Sequence, residues 1–94
     1  MDMRRTHTLV NDAQDDLEVW VEPWADLYVV RRGSKVAFSF AAEGKSDLLE
    51  SKIAVGKMTF WFSGPDAPEV EIDGTEAEPM DQYEWKSRNR EARP

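Results

Sequence analysis

The chain has 94 residues, 40% of them hydrophobic, and a formal net charge of -7 at pH 7. This length fits a single domain with a modest core, for which four Trp, four Phe and two Tyr supply large apolar side chains. The absence of cysteine excludes disulfides, thiolate catalysis and cysteine-ligated zinc.

The start of the chain carries a basic pair, Arg4 and Arg5, with no apolar run behind it. This pattern fits neither a secretory signal nor a transmembrane segment. We expect residues 1–10 to form a flexible leader, and the protein to be cytoplasmic and not to bind membranes.

Acidic and basic blocks alternate along the chain. Residues 11–26 hold six acids and no base, 27–60 hold six bases against three acids, and 61–84 hold eight acids and no base. A negative protein repels phosphate backbones, so binding of nucleic acid is not expected. It would require the six central bases to gather on one face: Arg31, Arg32, Lys35, Lys45, Lys52 and Lys57.

Alternation with a period of two dominates the first half of the domain and predicts strands. In residues 17–22, apolar residues alternate with Glu18, Trp20 and Glu22, and Pro23 ends the run. Residues 27–32 and 35–42 are two further strands, with Arg32-Gly33-Ser34 between them as a turn, which predicts a hairpin.

Residues 47–55 follow a turn at 43–46 and fit two structures. Asp47 and Glu50 resemble a helix capping box, whereas Leu49, Ser51 and Ile53 alternate as in a strand. We favour the strand. The next strand, residues 58–63, points Met58, Phe60 and Phe62 to one side and Thr59, Trp61 and Ser63 to the other.

Residues 69–73 predict a short strand with Val70 and Ile72 inward, and order is expected to decline after Gly74. Tyr83 and Trp85 are two aromatic residues in a polar segment. They predict either a last strand-like piece that docks or a site that another molecule covers.

These elements predict an all-β fold, a small antiparallel sandwich or barrel of five to six short strands. Residues 11–85 form the single domain, and residues 86–94 a charged tail. The predicted core consists of Val19, Val21, Val29, Val36, Phe38, Phe40, Phe60, Phe62 and Ile72.

The candidate binding residues are aromatic side chains assigned to the outward faces. Trp20, Trp61 and Tyr28 fit a platform for sugar rings or for apolar partner surface. The alternative is that a second layer covers both Trp and makes them core. Trp24, next to Pro23, is predicted to plug a corner of the fold, with ligand contact as the alternative.

Other chemistry finds weaker support. Eight acidic residues could meet at one end of the fold and hold Ca²⁺: Asp12, Asp15, Asp16, Glu71, Asp73, Glu76, Glu78 and Asp81. They lack the regular alternation of ligands that an EF-hand loop has. His7, the sole histidine, lies in the expected leader, and no nucleophile stands in a catalytic motif. The five glycines are predicted to supply turns rather than a phosphate loop.

Two functional hypotheses remain. The first is a non-enzymatic module that binds a protein partner, or a second copy of itself, through the aromatic face or an open sheet edge. The second is a module for a small ligand, carbohydrate or calcium, in a cleft beside Trp20 and Trp61. Neither hypothesis involves a cofactor or a catalytic residue.

Overall fold

The computed structural model describes residues 4–41, 47–63, 66–81 and 83–85, and most of them lie in strands. The eight strands are β1 (Arg4–Val10), β2 (Leu17–Glu22), β3 (Asp26–Val30), β4 (Lys35–Ala41), β5 (Asp47–Ala54), β6 (Lys57–Ser63), β7 (Glu69–Ile72) and β8 (Thr75–Glu76). The all-β prediction is confirmed. In the part of the chain described, no helix is long and apolar enough to cross a membrane. The predicted turn at 43–46 and the charged tail at 86–94 lie outside the described residues.

The strands form two four-stranded sheets. Sheet I has the order β1-β4-β7-β8, and sheet II has the order β3-β2-β6-β5. The described strands therefore form two separate sheets and no closed barrel.

One pairing departs from the antiparallel prediction. Strands β2 and β6 run parallel, from Glu18 opposite Lys57 to Glu22 opposite Trp61. The two strands are far apart in sequence, so no short turn dictates their relative direction. The other five ladders among the described strands are antiparallel.

The core lies between the sheets and is built on phenylalanine. Phe38 of β4 is fully buried, and its ring centroid lies 4.9 Å from that of Phe60 and 5.8 Å from that of Phe62, both on β6. Phe40 meets Phe62 edge-on at 5.3 Å. The alternation in residues 35–42 and 58–63 thus predicted the inward faces of β4 and β6 correctly.

The hairpin predicted around Gly33 is wrong. β3 pairs with β2 in sheet II, whereas β4 lies between β1 and β7 in sheet I. The segment between them does turn, with the Ser34 amide donating to the Arg31 carbonyl at 2.9 Å, but it carries the chain from one sheet to the other. Turn residues specify that the chain reverses and not which strand the next strand pairs with.

Asn11 holds this crossing in place. It is 2% exposed, and its Nδ2 donates to the carbonyls of Val30 at 2.8 Å and Asp15 at 3.0 Å. Its backbone amide donates to Ser34 and its carbonyl accepts from Gly33. A single buried amide thus joins the β1–β2 connection to the β3–β4 connection.

The predicted leader contains a strand. β1 pairs with β4 along its whole length, from Arg4 opposite Ala41 to Val10 opposite Lys35. Most of its side chains are exposed because β1 is the edge strand of sheet I, and this polar composition is the reason the segment resembles a leader. The assignment of residues 1–10 as a flexible leader is therefore corrected for residues 4–10.

The segment after β7 is more structured than the sequence predicts. Asp73 and Gly74 both have positive φ, 51° and 82°, the backbone of a two-residue Asp-Gly hairpin turn that joins β7 to β8. Met80 then bridges to Leu27 of β3, its amide donating to the Leu27 carbonyl at 2.7 Å. Residues 83–85 are helical rather than strand-like.

Candidate functional site

Trp20 and Trp61 lie together on the outer face of sheet II. Val19 and Val21, their inward neighbours on β2, are buried in the core, so the alternation of the strand turns Trp20 away from it. In the β2–β6 ladder Trp20 stands opposite Thr59, and Trp61 stands opposite Glu22. The two indoles are therefore diagonal neighbours on adjacent parallel strands.

The register of sheet II surrounds the two indoles with charged side chains. Glu18 lies opposite Lys57, and β5 adds Lys52 opposite Thr59 and Glu50 opposite Trp61. The face thus alternates aromatic rings with carboxylates and ammonium groups. A polar partner group placed over either ring meets a charge of each sign nearby.

These side chains enclose a shallow groove of about 500 Å³. We call it the tryptophan groove, and it is lined by Trp20, Glu22, Lys52, Ala54, Lys57, Thr59 and Trp61. The volume lies within the usual range for small-molecule sites, about 300–1,000 Å³.

Trp20 is held in a fixed orientation. Its Nε1 donates to the Glu18 carboxylate at 3.1 Å, and the Lys57 ammonium lies 5.6 Å from its ring centroid. A cation over the ring face is attracted by the electron density of the π system. Together the two contacts orient the Trp20 ring within the groove.

Both indoles are half-buried. The prediction that Trp20 and Trp61 share an outward face is confirmed in its geometry, whereas their role in binding stays a prediction. By contrast, Leu27, which lies opposite Trp20 on β3, is only 1% exposed. The outer face of sheet II is thus closed at β3 and accessible over β2 and β6.

Tyr28 does not belong to this surface. From the sequence, Tyr28 is predicted to point outward and Val29 into the core, and the structure shows the reverse: Tyr28 is 6% exposed and lies opposite Val19, while Val29 is only half-buried. Burial, followed by the charge of Asp26, raises the pKa of Tyr28 to about 12. Residues 27–30 are all apolar or aromatic, so no alternation distinguishes the two faces, and only the pairing with β2 does.

Trp24 lies in the turn after β2, and its role as a corner plug or a ligand contact stays a prediction. It follows β2, is half-buried and packs against the core cluster. It also borders a second, shallower cavity of about 360 Å³, lined with Asp26, Met80 and Tyr83 among others. Tyr83 is 82% exposed there, whereas Trp85 is half-buried.

The remaining candidates are dispersed. Among the described residues, no group of three or more His, Cys, Asp or Glu side chains has the proximity needed to hold a metal ion. His7 lies on β1 opposite Phe38, with its ring centroid 5.7 Å from that of Phe60. Gly33 and Gly56 adopt positive φ in turns, 82° and 70°, as the turn interpretation requires.

The two lysines that line the groove do not follow from the sequence. Lys52 and Lys57 come from β5 and β6, and only the registers of β2–β6 and β5–β6 bring them beside Trp20 and Glu22. The alternation within each strand does predict that Glu22 and Trp61 point outward. No signal within one strand indicates that β2 and β6 are neighbours.

Comparison with known protein families, with curated proteins and with solved structures gives no significant match for this chain.

Proposed function

We propose that this chain is a non-enzymatic interaction module, a small two-sheet sandwich that binds a segment of another protein in the tryptophan groove. The observation that carries the proposal is the pair of half-buried indoles, Trp20 and Trp61, on one outer face with charges of both signs around them. Trp is among the residues that contribute most binding energy at protein interfaces. Charged groups at the margin add specificity and faster association.

The size of the groove indicates what kind of contact it supports. Because each indole is already half-buried, covering the rest of it is worth at most roughly 2 kcal/mol at about 25 cal/mol per Å², or about 4 kcal/mol for the pair. A millimolar complex requires about 4 kcal/mol and a micromolar one about 8 kcal/mol, after the costs of association. A partner must therefore reach beyond the two rings to the flanking lysines and glutamates in order to bind tightly.

The preferred partner is an extended peptide segment. It would place an apolar or aromatic side chain between Trp20 and Trp61, an acidic residue near Lys52 and Lys57, and a basic residue near Glu22. Carboxylates on the same face oppose a nucleic-acid backbone, because they repel phosphates as strongly as the lysines attract them.

The test is selection of peptides from a display library on the purified protein, followed by calorimetry with the selected peptides. We expect Trp61→Ala and Trp20→Ala each to weaken binding by about tenfold or more, since each removes roughly half of the aromatic contact. Val29→Ala is a matched control on the same face, outside the groove. Selected peptides that bind all three variants as tightly as the native chain would refute the proposal.

A second candidate is carbohydrate binding, favoured by the volume of the groove and by hydrogen-bonding side chains beside the rings. The test is a panel of mono- and disaccharides, with melting temperature and tryptophan fluorescence as readouts. Saturable shifts that Trp61→Ala abolishes would favour the sugar over the peptide. Calcium is not proposed as a ligand, because the described residues contain no group of three or more His, Cys, Asp or Glu side chains that could hold a metal ion.

A further inference from the structure

The described strands leave four sheet edges, and three of them are polar, short or partly covered. β1 presents Arg4, Thr6 and Thr8 as exposed side chains, and Arg4 forms an ion pair with Glu69 at 3.2 Å. β8 is only two residues long, and Met80 bridges to the outer side of β3. Charge, short length and cover are the usual means by which proteins block sheet edges.

The edge of β5 is the most apolar of the four. As at β1, no described strand pairs with its outer side, but β5 carries two large exposed apolar residues, Leu49 and Ile53, 67% and 76% accessible, whereas β1 carries one, Val10, at its end. Val55, in the turn that follows, is fully exposed. Neither Glu50 nor Lys52 forms a side-chain hydrogen bond or ion pair with any described residue.

The direction of the backbone groups on β5 follows from its turn. Ala54 and Lys57 flank the two-residue turn to β6 and form the hydrogen-bonded pair that closes such a hairpin. Because antiparallel pairs alternate, Lys52 and Glu50 also direct their backbone groups to β6, and Ser51 and Ile53 direct theirs to the open edge. A bulge between Leu48 and Glu50 ends this regular stretch.

The sequence of this stretch is complementary to itself when it pairs antiparallel. With the two-fold axis at Ser51, Ser51 faces Ser51 of the second copy, and Glu50 faces Lys52. Ile53 of each copy lies beyond this pair of charges, next to the bulge that contains Leu49 of the other copy. The two charges therefore form two ion pairs across the axis.

Other registers lack this complementarity. An axis at Glu50 or at Lys52 sets two like charges directly opposite each other, which is destabilising. An axis at Ile53 places both charges opposite uncharged residues. A two-fold axis between two residues places Glu50 opposite Ser51 or Ser51 opposite Lys52. Of these three, only Ser51 directs its backbone groups to the open edge, so these registers form no regular ladder.

We propose that two copies of this chain associate through β5 in the antiparallel register centred on Ser51. The two copies of sheet II then form one eight-stranded sheet, with β5 against β5 at its centre. This inference does not rest on binding in the tryptophan groove. It does place two grooves side by side on one continuous face, with Lys52 of each copy next to Glu50 of the other.

Cross-linking tests the register directly, because the native chain has no cysteine. Ser51→Cys places two thiols across the axis in a pair whose Cα atoms are about 5.5 Å apart, within the range that a disulfide spans. Thr8→Cys, exposed on the edge strand β1, is the matched control. We expect Ser51→Cys to form a disulfide-linked dimer under mild oxidation at least tenfold faster than Thr8→Cys; equal rates would overturn the proposed register.

Charge reversal tests the same register without a covalent bond. Glu50→Lys or Lys52→Glu alone sets like charges opposite each other at two positions, and we expect the dissociation constant of the dimer to rise roughly tenfold. The double exchange, Glu50→Lys with Lys52→Glu, should restore it. The measurement is sedimentation velocity over a range of concentrations, where the native mass should rise toward twice the 10.8 kDa of one chain.

Three outcomes overturn the proposal: a native chain that stays monomeric throughout, single variants that associate like the native chain, or a double exchange that fails to recover association. A circular dichroism spectrum of each variant separates loss of association from loss of fold. When each single variant keeps the native spectrum, recovery in the double exchange assigns the lost association to the ion pairs between the copies.

Discussion

Replacement of Asn11 by alanine should destabilise this protein more than replacement of any exposed polar residue. The side chain of Asn11 makes three hydrogen bonds: two donated by Nδ2 to the carbonyls of Val30 and Asp15, and one accepted by Oδ1 from the Ala13 amide. Each is worth about 1 kcal/mol net, and the bond to Val30 is buried, so its carbonyl is left without a partner. The expected loss is about 3 kcal/mol.

This loss is large for a chain of this size, since domains are typically stable by only about 5–15 kcal/mol. The melting temperature should fall by about 15 °C, at about 4–8 °C per kcal/mol for a domain below about 100 residues. Urea denaturation followed by circular dichroism measures the free energy of unfolding, and an unchanged slope shows that the folded state keeps its compactness. Asp12→Ala, at the exposed neighbouring position, is the control and should change stability by less than about 0.5 kcal/mol.

Asn11→Asp refines the test. It keeps an acceptor for the Ala13 amide but replaces the donor that faces the Val30 carbonyl, and it adds a buried charge at neutral pH. We expect a larger loss than for alanine at neutral pH and a smaller one in acid, where the carboxyl group is protonated and donates again. A loss below about 1 kcal/mol for Asn11→Ala would refute the reasoning that this amide joins the two connections.

Three further predictions follow from other parts of the fold. Burial and the charge of Asp26 raise the pKa of Tyr28 from 10.0 to about 12. The stability that this shift contributes is therefore complete below pH 10 and is lost as the pH rises toward 12. Tyr28→Phe should reduce this alkaline loss, which urea denaturation at several pH values measures. Ala25 has a positive φ of 57°, and Ala25→Gly should raise the free energy of unfolding by about 0.5–1 kcal/mol; an unchanged or lower value would contradict strain at this position. Phe38→Ala should cost about 3–5 kcal/mol because Phe38 is fully buried, whereas Val55→Ala, at a fully exposed position, should change thermal stability by less than about 0.5 kcal/mol; similar costs would contradict the proposed core.

Within single strands, the sequence was sufficient to predict both structure and face. Residues 35–42 and 58–63 alternate so regularly that their inward phenylalanines, and the outward direction of Trp61, follow from the period of two alone. The strand favoured for residues 47–55 is observed as β5. The prediction for Tyr28 failed because residues 27–30 have no alternation of apolar and polar side chains, and this alternation is the signal on which the correct predictions depend.

Pairing between distant strands was decided by the tertiary structure alone. The parallel neighbours β2 and β6, the crossing at Gly33 and the edge strand β1 all depend on contacts between segments that are far apart in the chain. An all-β chain with a phenylalanine core and two outward indoles follows from the amino-acid sequence, because the direction of a side chain is set by its own backbone. Only the tertiary structure brought Lys52 and Lys57 beside those indoles and left β5 at an open edge, because the order of strands in a sheet follows from how all the inward faces pack at once.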